Sequence, residues 1–196
     1  EDIAVMRAIP TMTVIVPADA VETRKAVEAS AWYDGPTYIR LTRANLPVID
    51  SDERPFRIGV GWQVRAGEDV TLAGVGLMLH AALEAAELLE EEGISARVIN
   101  LVTVKPVDEH LVVRCAEETG AVVTAEEHNV CGGLGDAVGE VLLRRCPVPM
   151  ERVAIETMPF NQRYCGQGYP PDDAEMGGTG KHGFFHRTSH PLAMFG

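Results

Sequence analysis

Residues 70–101 read VTLAGVGLMLHAALEAAELLEEEGISARVINL, a short β-branched run, a long helical pattern and a second β-branched run. Met78, Ala81, Ala82, Ala85, Ala86 and Leu89 recur at helical spacing as an apolar stripe, while Glu84, Glu87 and Glu91 fall on the opposite face. Gly93 suits the left-handed residue that follows a helix end. The spacing predicts a strand over 70–75, a helix over 77–92 and a strand over 96–101. A helix between two short strands is the unit from which parallel sheets are built.

The alternation continues downstream. Residues 108–118 and 134–144 read as helices, and residues 121–125 and 153–155 as strands. In the last helix Leu134, Ala137, Val138, Val141 and Leu142 share one face, with Asp136, Glu140 and Arg144 opposite. Lys105-Pro106 with Asp108 reads as a helix start, proline near the first turn and aspartate as cap. The expected fold class is α/β, a three-layer α/β/α domain over 62–158 with a mostly parallel sheet.

Upstream, residues 1–20, EDIAVMRAIPTMTVIVPADA, begin inside a helical pattern of Ile3, Ala4 and Met6 that Ile9-Pro10 ends. A strand follows over 13–16. Asp19 and Glu22 form a capping box, and Ala20, Thr23, Val27 and Ala31 read as the apolar face of the next helix. Thr37 to Leu41 is a further strand, so residues 1–47 supply too little for a core of their own. With no N-cap and no earlier strand, the chain reads as a fragment or split subunit. Its strands over 13–16 and 37–41 are expected as unpaired apolar edges, making the whole chain more prone to self-association than one beginning near Phe56. Residues 48–61, polar and irregular, are the expected linker, and 159–196 an irregular or disordered tail.

Composition excludes several classes. Lys and Arg total 17 against 29 Asp and Glu, a net charge of −12 that repels phosphate backbones and anionic lipid, so neither nucleic acid nor a membrane is expected as partner. No apolar run approaches the ~20 residues of a membrane span. Cys115, Cys131, Cys146 and Cys165 show no close paired spacing, which fits reduced thiols in a cytoplasmic protein.

The strings MRAIP and TVIVPADA, then DGPTYIRLTRANLP over 34–47, KPVDE, and TAEEHNVCGGLG over 124–135 resemble the C-terminal section of the transketolase family, the thiamine diphosphate enzymes. The likeness runs from Glu1 to about Glu156. It implies the end of a pyrimidine-binding domain, its last strand–helix–strand, followed by a complete transketolase C-terminal domain. It also implies an intact enzyme that moves a two-carbon ketol unit between sugar phosphates with thiamine diphosphate and Mg²⁺. In the family the glutamate that activates the cofactor and the aspartate–asparagine motif that holds Mg²⁺ lie before the matched region. The cofactor would therefore be bound mainly by residues absent here, and this chain alone would be inactive. It would need an N-terminal transketolase subunit or upstream half, with the assembled unit a homodimer. Two alternatives stand beside this. One is a 2-oxoacid dehydrogenase β subunit or a deoxyxylulose phosphate synthase fragment, whose sequences after the equivalent strand differ from TRANLP. The other is a non-catalytic dimerisation or assembly module.

Arg43 is the first candidate site residue, placed just past a strand where its guanidinium can fork onto a phosphate or carboxylate. The family has Ser-Arg-Gln-Asn-Leu-Pro here, and the resemblance implies that Arg43 binds the sugar phosphate, although Thr42 and Ala44 replace two neighbours. Glu126, Glu127 and His128 follow on a strand at the carboxyl edge where open α/β sheets bind ligands, so Glu127 and His128 are expected at the edge of the active site. Adjacent residues on extended chain point apart, which argues against Glu126 and Glu127 sharing a site. Gly132 to Gly135 opens a helix whose free N–H groups can receive an anion, though the simpler reading is a tight turn. It is no dinucleotide fingerprint, because Val138 stands where the third glycine belongs. No catalytic residue and no metal ligand is expected. His182, His186 and His190 lie four apart, but Gly183, Pro191 and the glycines at 177, 178 and 180 oppose the helix that would align them. The abrupt loss of pattern after Pro159 fits a reading-frame change or a wrongly joined fragment.

Overall fold

Chain order in the computed structural model, which describes residues 1–156, is α1 (Asp2–Ala8), β1 (Thr13–Ile15), α2 (Ala20–Ala31), β2 (Thr37–Ile39), β3 (Trp62–Arg65), β4 (Val70–Gly74), α3 (Leu77–Glu91), β5 (Ala96–Asn100), β6 (Thr103–Lys105), α4 (Glu109–Thr119), β7 (Val122–Asn129), α5 (Leu134–Arg145) and β8 (Met150–Ile155). Five strands form one sheet in the order β3-β5-β4-β7-β8, parallel throughout except for β3, which runs antiparallel to β5.

Successive side chains on a strand face opposite ways, and the two cores follow from that. Val70 and Leu72 of β4 and Val98 of β5 pack on Leu79, Ala82 and Ala86 of α3. Ala73 and Ile99, one residue along on the same strands, pack with Cys115 and Ala116 of α4 and with Ala137 and Val138 of α5. The result is the three-layer α/β/α domain expected. Helix ends agree too: the Asp108 carboxylate accepts the Leu111 N–H at 2.9 Å, and Gly93 and Gly120 adopt φ of 81° and 72° just past α3 and α4.

Several local expectations give way. β3 and β6 are additional strands, short and of mixed polarity, and each is held by an antiparallel ladder to a strand distant in sequence, β3 to β5 and β6 to β1. β7 runs on to Asn129, so Glu126, Glu127 and His128 lie within the strand and not after it. The buried face of α2 is Glu22, Lys25 and Ala26, whereas Ala20, Val27 and Ala31 face solvent. Apolar spacing misassigns this face because the two charged residues are buried with partners that lie far off in sequence.

A second sheet has the order β2-β1-β6, with β1 parallel to β2 and antiparallel to β6. The strand over 13–16 is therefore no unpaired edge. β1 is the central strand, Thr13, Val14 and Ile15 are at most 3% exposed, and Val16 N–H donates to the Val102 carbonyl at 2.7 Å. Among the described residues β2 and β6 are the edge strands of this sheet, each paired on one side. Gly76, with φ of +52°, lets β4–α3 approach this seam, where an added Cβ would stand 2.9 Å from Val16 Cγ1. Residues 48–61 contain no helix or strand, yet Asp50 within them is 4% exposed and tied to α2. No helix among the described residues is long and apolar enough to cross a membrane. The expected irregular tail over 159–196, with Cys165, His182, His186 and His190, lies outside the described residues.

Candidate functional site

The segment bearing Arg43 leaves β2 and returns to α2, and each end is held by charge. At the upstream end Arg40 donates from its backbone N–H to the Ile15 carbonyl (2.8 Å), from Nε to Asp2 Oδ2 (3.1 Å) and from Nη1 to Glu127 Oε2 (3.1 Å). Tyr38 Oη also donates to Asp2 Oδ2, at 2.7 Å. That hydrogen bond raises the Tyr38 hydroxyl above its usual pKa. Burial works to raise the Asp2 carboxyl, but the Tyr38 hydrogen bond and the Arg40 charge outweigh it and hold Asp2 low.

At the downstream end, Asp19 is a double anchor. Its Oδ1 caps α2 by accepting the Glu22 N–H at 2.8 Å, and its Oδ2 accepts the N–H groups of Ile49 and Asp50 at 2.7 Å each. The Glu22 carboxylate reaches back to the Ala18 N–H at 2.8 Å, one residue before the position an ordinary capping box would satisfy. Lys25 Nζ donates to Asp50 Oδ2 (2.9 Å) and to the carbonyls of Ser51 (2.5 Å) and Arg54 (2.7 Å). Arg54 forks onto Asp50 at 2.6 and 2.8 Å, reaches Glu22 at 3.2 Å and lies 4.4 Å over the Trp62 ring. Asn100 Nδ2 donates to both Glu22 oxygens, at 2.9 and 3.0 Å. Burial pushes the Asp50 carboxyl up, but Arg54 and Lys25 outweigh it and hold Asp50 low. For Glu22 burial wins over the hydrogen bonds from Ala18 and Asn100 and the Arg54 charge, and its carboxyl is raised.

Between these anchors Thr42 Oγ1 accepts the Ala44 N–H at 3.2 Å, and Arg43 is exposed. Arg40 and Arg54 are committed to carboxylates, but Arg43 has no salt-bridge partner among the described residues. A cleft of about 300 Å³ lies between Pro17, Asp19 and Thr23 on one wall and Leu41, Thr42 and Ala44 on the other, so the residues on either side of Arg43 line it and Arg43 itself does not.

Glu126, Glu127 and His128 separate as extended chain requires. Glu127 faces Arg40, while Glu126 and His128 point to the opposite side and are 1% and 2% exposed. Both Glu126 oxygens are occupied by the first N–H groups of α5, Leu134 at 2.7 Å and Gly135 at 2.8 Å. The anion at this glycine-rich helix start is thus the protein's own carboxylate. His128 Nε2 lies 3.3 Å from the Ala4 N–H and Nδ1 lies 2.7 Å from the Asn129 carbonyl. An amide N–H can only donate and a carbonyl only accept, so Nε2 takes the acceptor role and Nδ1 the donor role in this pair of contacts. With both nitrogens occupied inside the protein, His128 ties β7 to α1. Sequence reading missed Arg40, Asp2 and the Lys25–Asp50 pair, for which the available signal was a Glu and a Lys three apart on one helix. Among the described residues no group of three or more His, Cys, Asp or Glu can hold a metal ion.

The chain matches the family models described as transketolase, pyrimidine binding domain over residues 1–48 and transketolase, C-terminal domain over residues 59–175. It belongs to the transketolase family. It is 48% identical over 155 residues to the 6-deoxy-6-sulfo-D-fructose transketolase subunit of Clostridium sp. strain MSTE9, covering 79% of this chain and 48% of that protein. It is also 41% identical over 159 residues to the 1-deoxy-D-xylulose-5-phosphate synthase of Trichormus variabilis, covering 79% of this chain and 25% of that one. Among solved structures, a split gene transketolase described as an inactive beta4 tetramer superposes with a TM-score of 0.78 at 50% identity, covering 79% of this chain and 52% of that one. The chain spans about half the length of the subunit relative and of the split-gene chain.

Proposed function

We propose that this chain is the C-terminal part or subunit of a transketolase-like enzyme that transfers a two-carbon ketol unit between sugar phosphates, and that Arg43 holds the substrate phosphate. One observation carries the reading. Arg43 is exposed on a loop whose flanking residues Thr42 and Ala44 line a cleft, and it has no carboxylate partner among the described residues, whereas Arg40 and Arg54 are both paired with carboxylates. A guanidinium left free in this way presents a planar pair of donors to an anion. The subunit relative and the split-gene structure support a separate or upstream N-terminal half as partner; that the assembled unit is a homodimer is part of the proposal. Thiamine diphosphate, when bound, supplies the carbanion chemistry. In this reading the metal and diphosphate are held mainly by the N-terminal half, and this chain alone is inactive.

The test uses the assembled enzyme with thiamine diphosphate and Mg²⁺, xylulose 5-phosphate or free xylulose as donor and ribose 5-phosphate as acceptor. Arg43→Ala should lower kcat/KM for xylulose 5-phosphate roughly tenfold to hundredfold, the equivalent of about 1.5–3 kcal/mol for hydrogen bonds to a charged group, and leave free xylulose little changed. Arg43→Lys should recover only part. Equal losses for both donors would make Arg43 structural. The name of the 48% identical relative favours a second reading, a donor ending in a sulfonate, whose oxygens accept from the same fork. Turnover of 6-deoxy-6-sulfofructose in preference to xylulose 5-phosphate would select it. Turnover only with a 2-oxoacid would select the dehydrogenase or synthase alternative, and no turnover with any of these the assembly module.

A further inference from the structure

The loop carrying Arg43 has no regular structure and no direct hold on Arg43 itself, so its shape depends on its ends. Upstream, Arg40 stands three residues from Arg43 and bridges Asp2 of α1 to Glu127 of β7 at 3.1 Å each. Downstream, Asp50 is clamped by the Asp19 carboxylate, by Arg54 and by Lys25, whose Nζ makes three contacts within 2.9 Å. The downstream clamp is buried, the Lys25 and Asp50 side chains being 8% and 1% exposed. A buried pair of this kind is weak evidence for stability but serves well to select one geometry. Such a fixed geometry is what recognition of a remote anion requires, since a bidentate fork loses its advantage when its backbone wanders.

We propose that Arg40 and Lys25 are positioning residues for the anion-binding Arg43, acting from the two ends of its loop and touching no substrate. The proposal rests on the reading of Arg43 given above, and assigns Glu127 a role through Arg40 and not at the reacting atoms. It distinguishes Arg40 from Arg43 although both are arginines three residues apart. Arg40 has every contact of its guanidinium inside the protein, to two carboxylates, whereas Arg43 faces solvent.

The experiment measures kcat and KM of the assembled enzyme with xylulose 5-phosphate and with free xylulose for Arg40→Gln, Arg40→Lys, Lys25→Met and the double variant Arg40→Gln/Arg43→Ala. Arg40→Gln and Lys25→Met should each raise KM for xylulose 5-phosphate roughly threefold to tenfold with kcat retained, less than the hundredfold that a misplacement of about 1 Å at a reacting centre can cost. Free xylulose should be unaffected, and Arg40→Lys should restore part of the loss. In the double variant the Arg40 change should add nothing to the loss from Arg43→Ala, because there is no longer a fork to place. Lys25→Met risks unfolding, but half-buried Arg40 does not carry the core, so its variants keep the test decisive. Equal losses on both donors, no loss, or additive losses in the double variant would each overturn the positioning role. If Arg43→Ala itself fails to discriminate the donors, the reading of Arg43 falls and this inference with it. If Arg43→Ala discriminates and Arg40→Gln does not, only the inference falls.

Discussion

At Gly133 an added Cβ would sit 1.8 Å from Glu126 Oε2, so the residue's lack of a side chain is what lets a buried carboxylate reach the start of α5. Glu126 supplies the cap that a side chain at the N-cap would ordinarily provide, and it joins strand to helix in doing so. Gly133→Ala should therefore displace Glu126 and leave the Leu134 and Gly135 N–H groups buried without acceptors. We expect a loss of about 1–3 kcal/mol, read as a lower urea midpoint with unchanged slope. A midpoint equal to that of the unsubstituted chain would show that Glu126 is not the cap. The glycine run and the acidic pair were both legible in the sequence. Their relation was not, because six residues and a turn separate Glu126 from Gly133, and no local period reports on such a contact.

Among the elements, α2 is the least ordinary, a helix whose inward face carries Glu22 and Lys25 beside a single alanine. Charged residues are rarely buried unless paired, and these are paired with the irregular segment that follows β2. The pairing makes a pH prediction. Asp50 has a carboxyl held low in the folded chain, so its contribution is present above the unfolded value near 3.9 and lost as the pH falls through the folded pKa. Asp50→Asn should cost roughly 3 kcal/mol at pH 7, where it leaves the buried Lys25 without a carboxylate and Arg54 with Glu22 alone. Its stability should also fall less between about pH 5 and pH 2 than that of the unsubstituted chain. Glu22, with a raised carboxyl, runs the other way, contributing below its unfolded value and losing that contribution as the pH rises through the folded pKa. Denaturant melts across about pH 2–5 check the sign for Asp50, and a parallel decline in the two proteins would remove Asp50 as a source of acid sensitivity. Apolar periodicity placed α2 correctly along the chain and turned it to the wrong face. Its length and its Asp19 cap are local properties, whereas burial of a charge depends on a partner 25 residues away.

In the molecule as a whole, β1 completes a sheet with β6, α1 supplies the N–H that His128 accepts, and Gly132 has Ala4 against it. A chain beginning at Phe56 would strip β6 of its neighbour and uncover Val102 and Val104, now at most 1% exposed. Such a chain should melt lower and associate more than the full sequence, the reverse of what unpaired strands at residues 13–16 would produce. Sedimentation and thermal melts of the two side by side decide it, and a shorter chain that is equally monodisperse and stable would show that residues 1–55 are dispensable. What the sequence determined by itself was everything carried by short-range pattern. That includes the strand and helix alternation from Val70 onward, the buried stripes of α3 and α5, the Asp19 and Asp108 caps, and Gly93 past a helix end. These follow from backbone hydrogen bonding and side-chain periodicity within a few residues. Only the tertiary structure decided that β1 lies between β2 and β6, that Glu126 caps α5, and that Arg40 and Lys25 hold the two ends of the Arg43 loop. Each of these joins groups distant in the chain, and their pairing is set by which surfaces meet when the layers close, a geometry that no local period encodes.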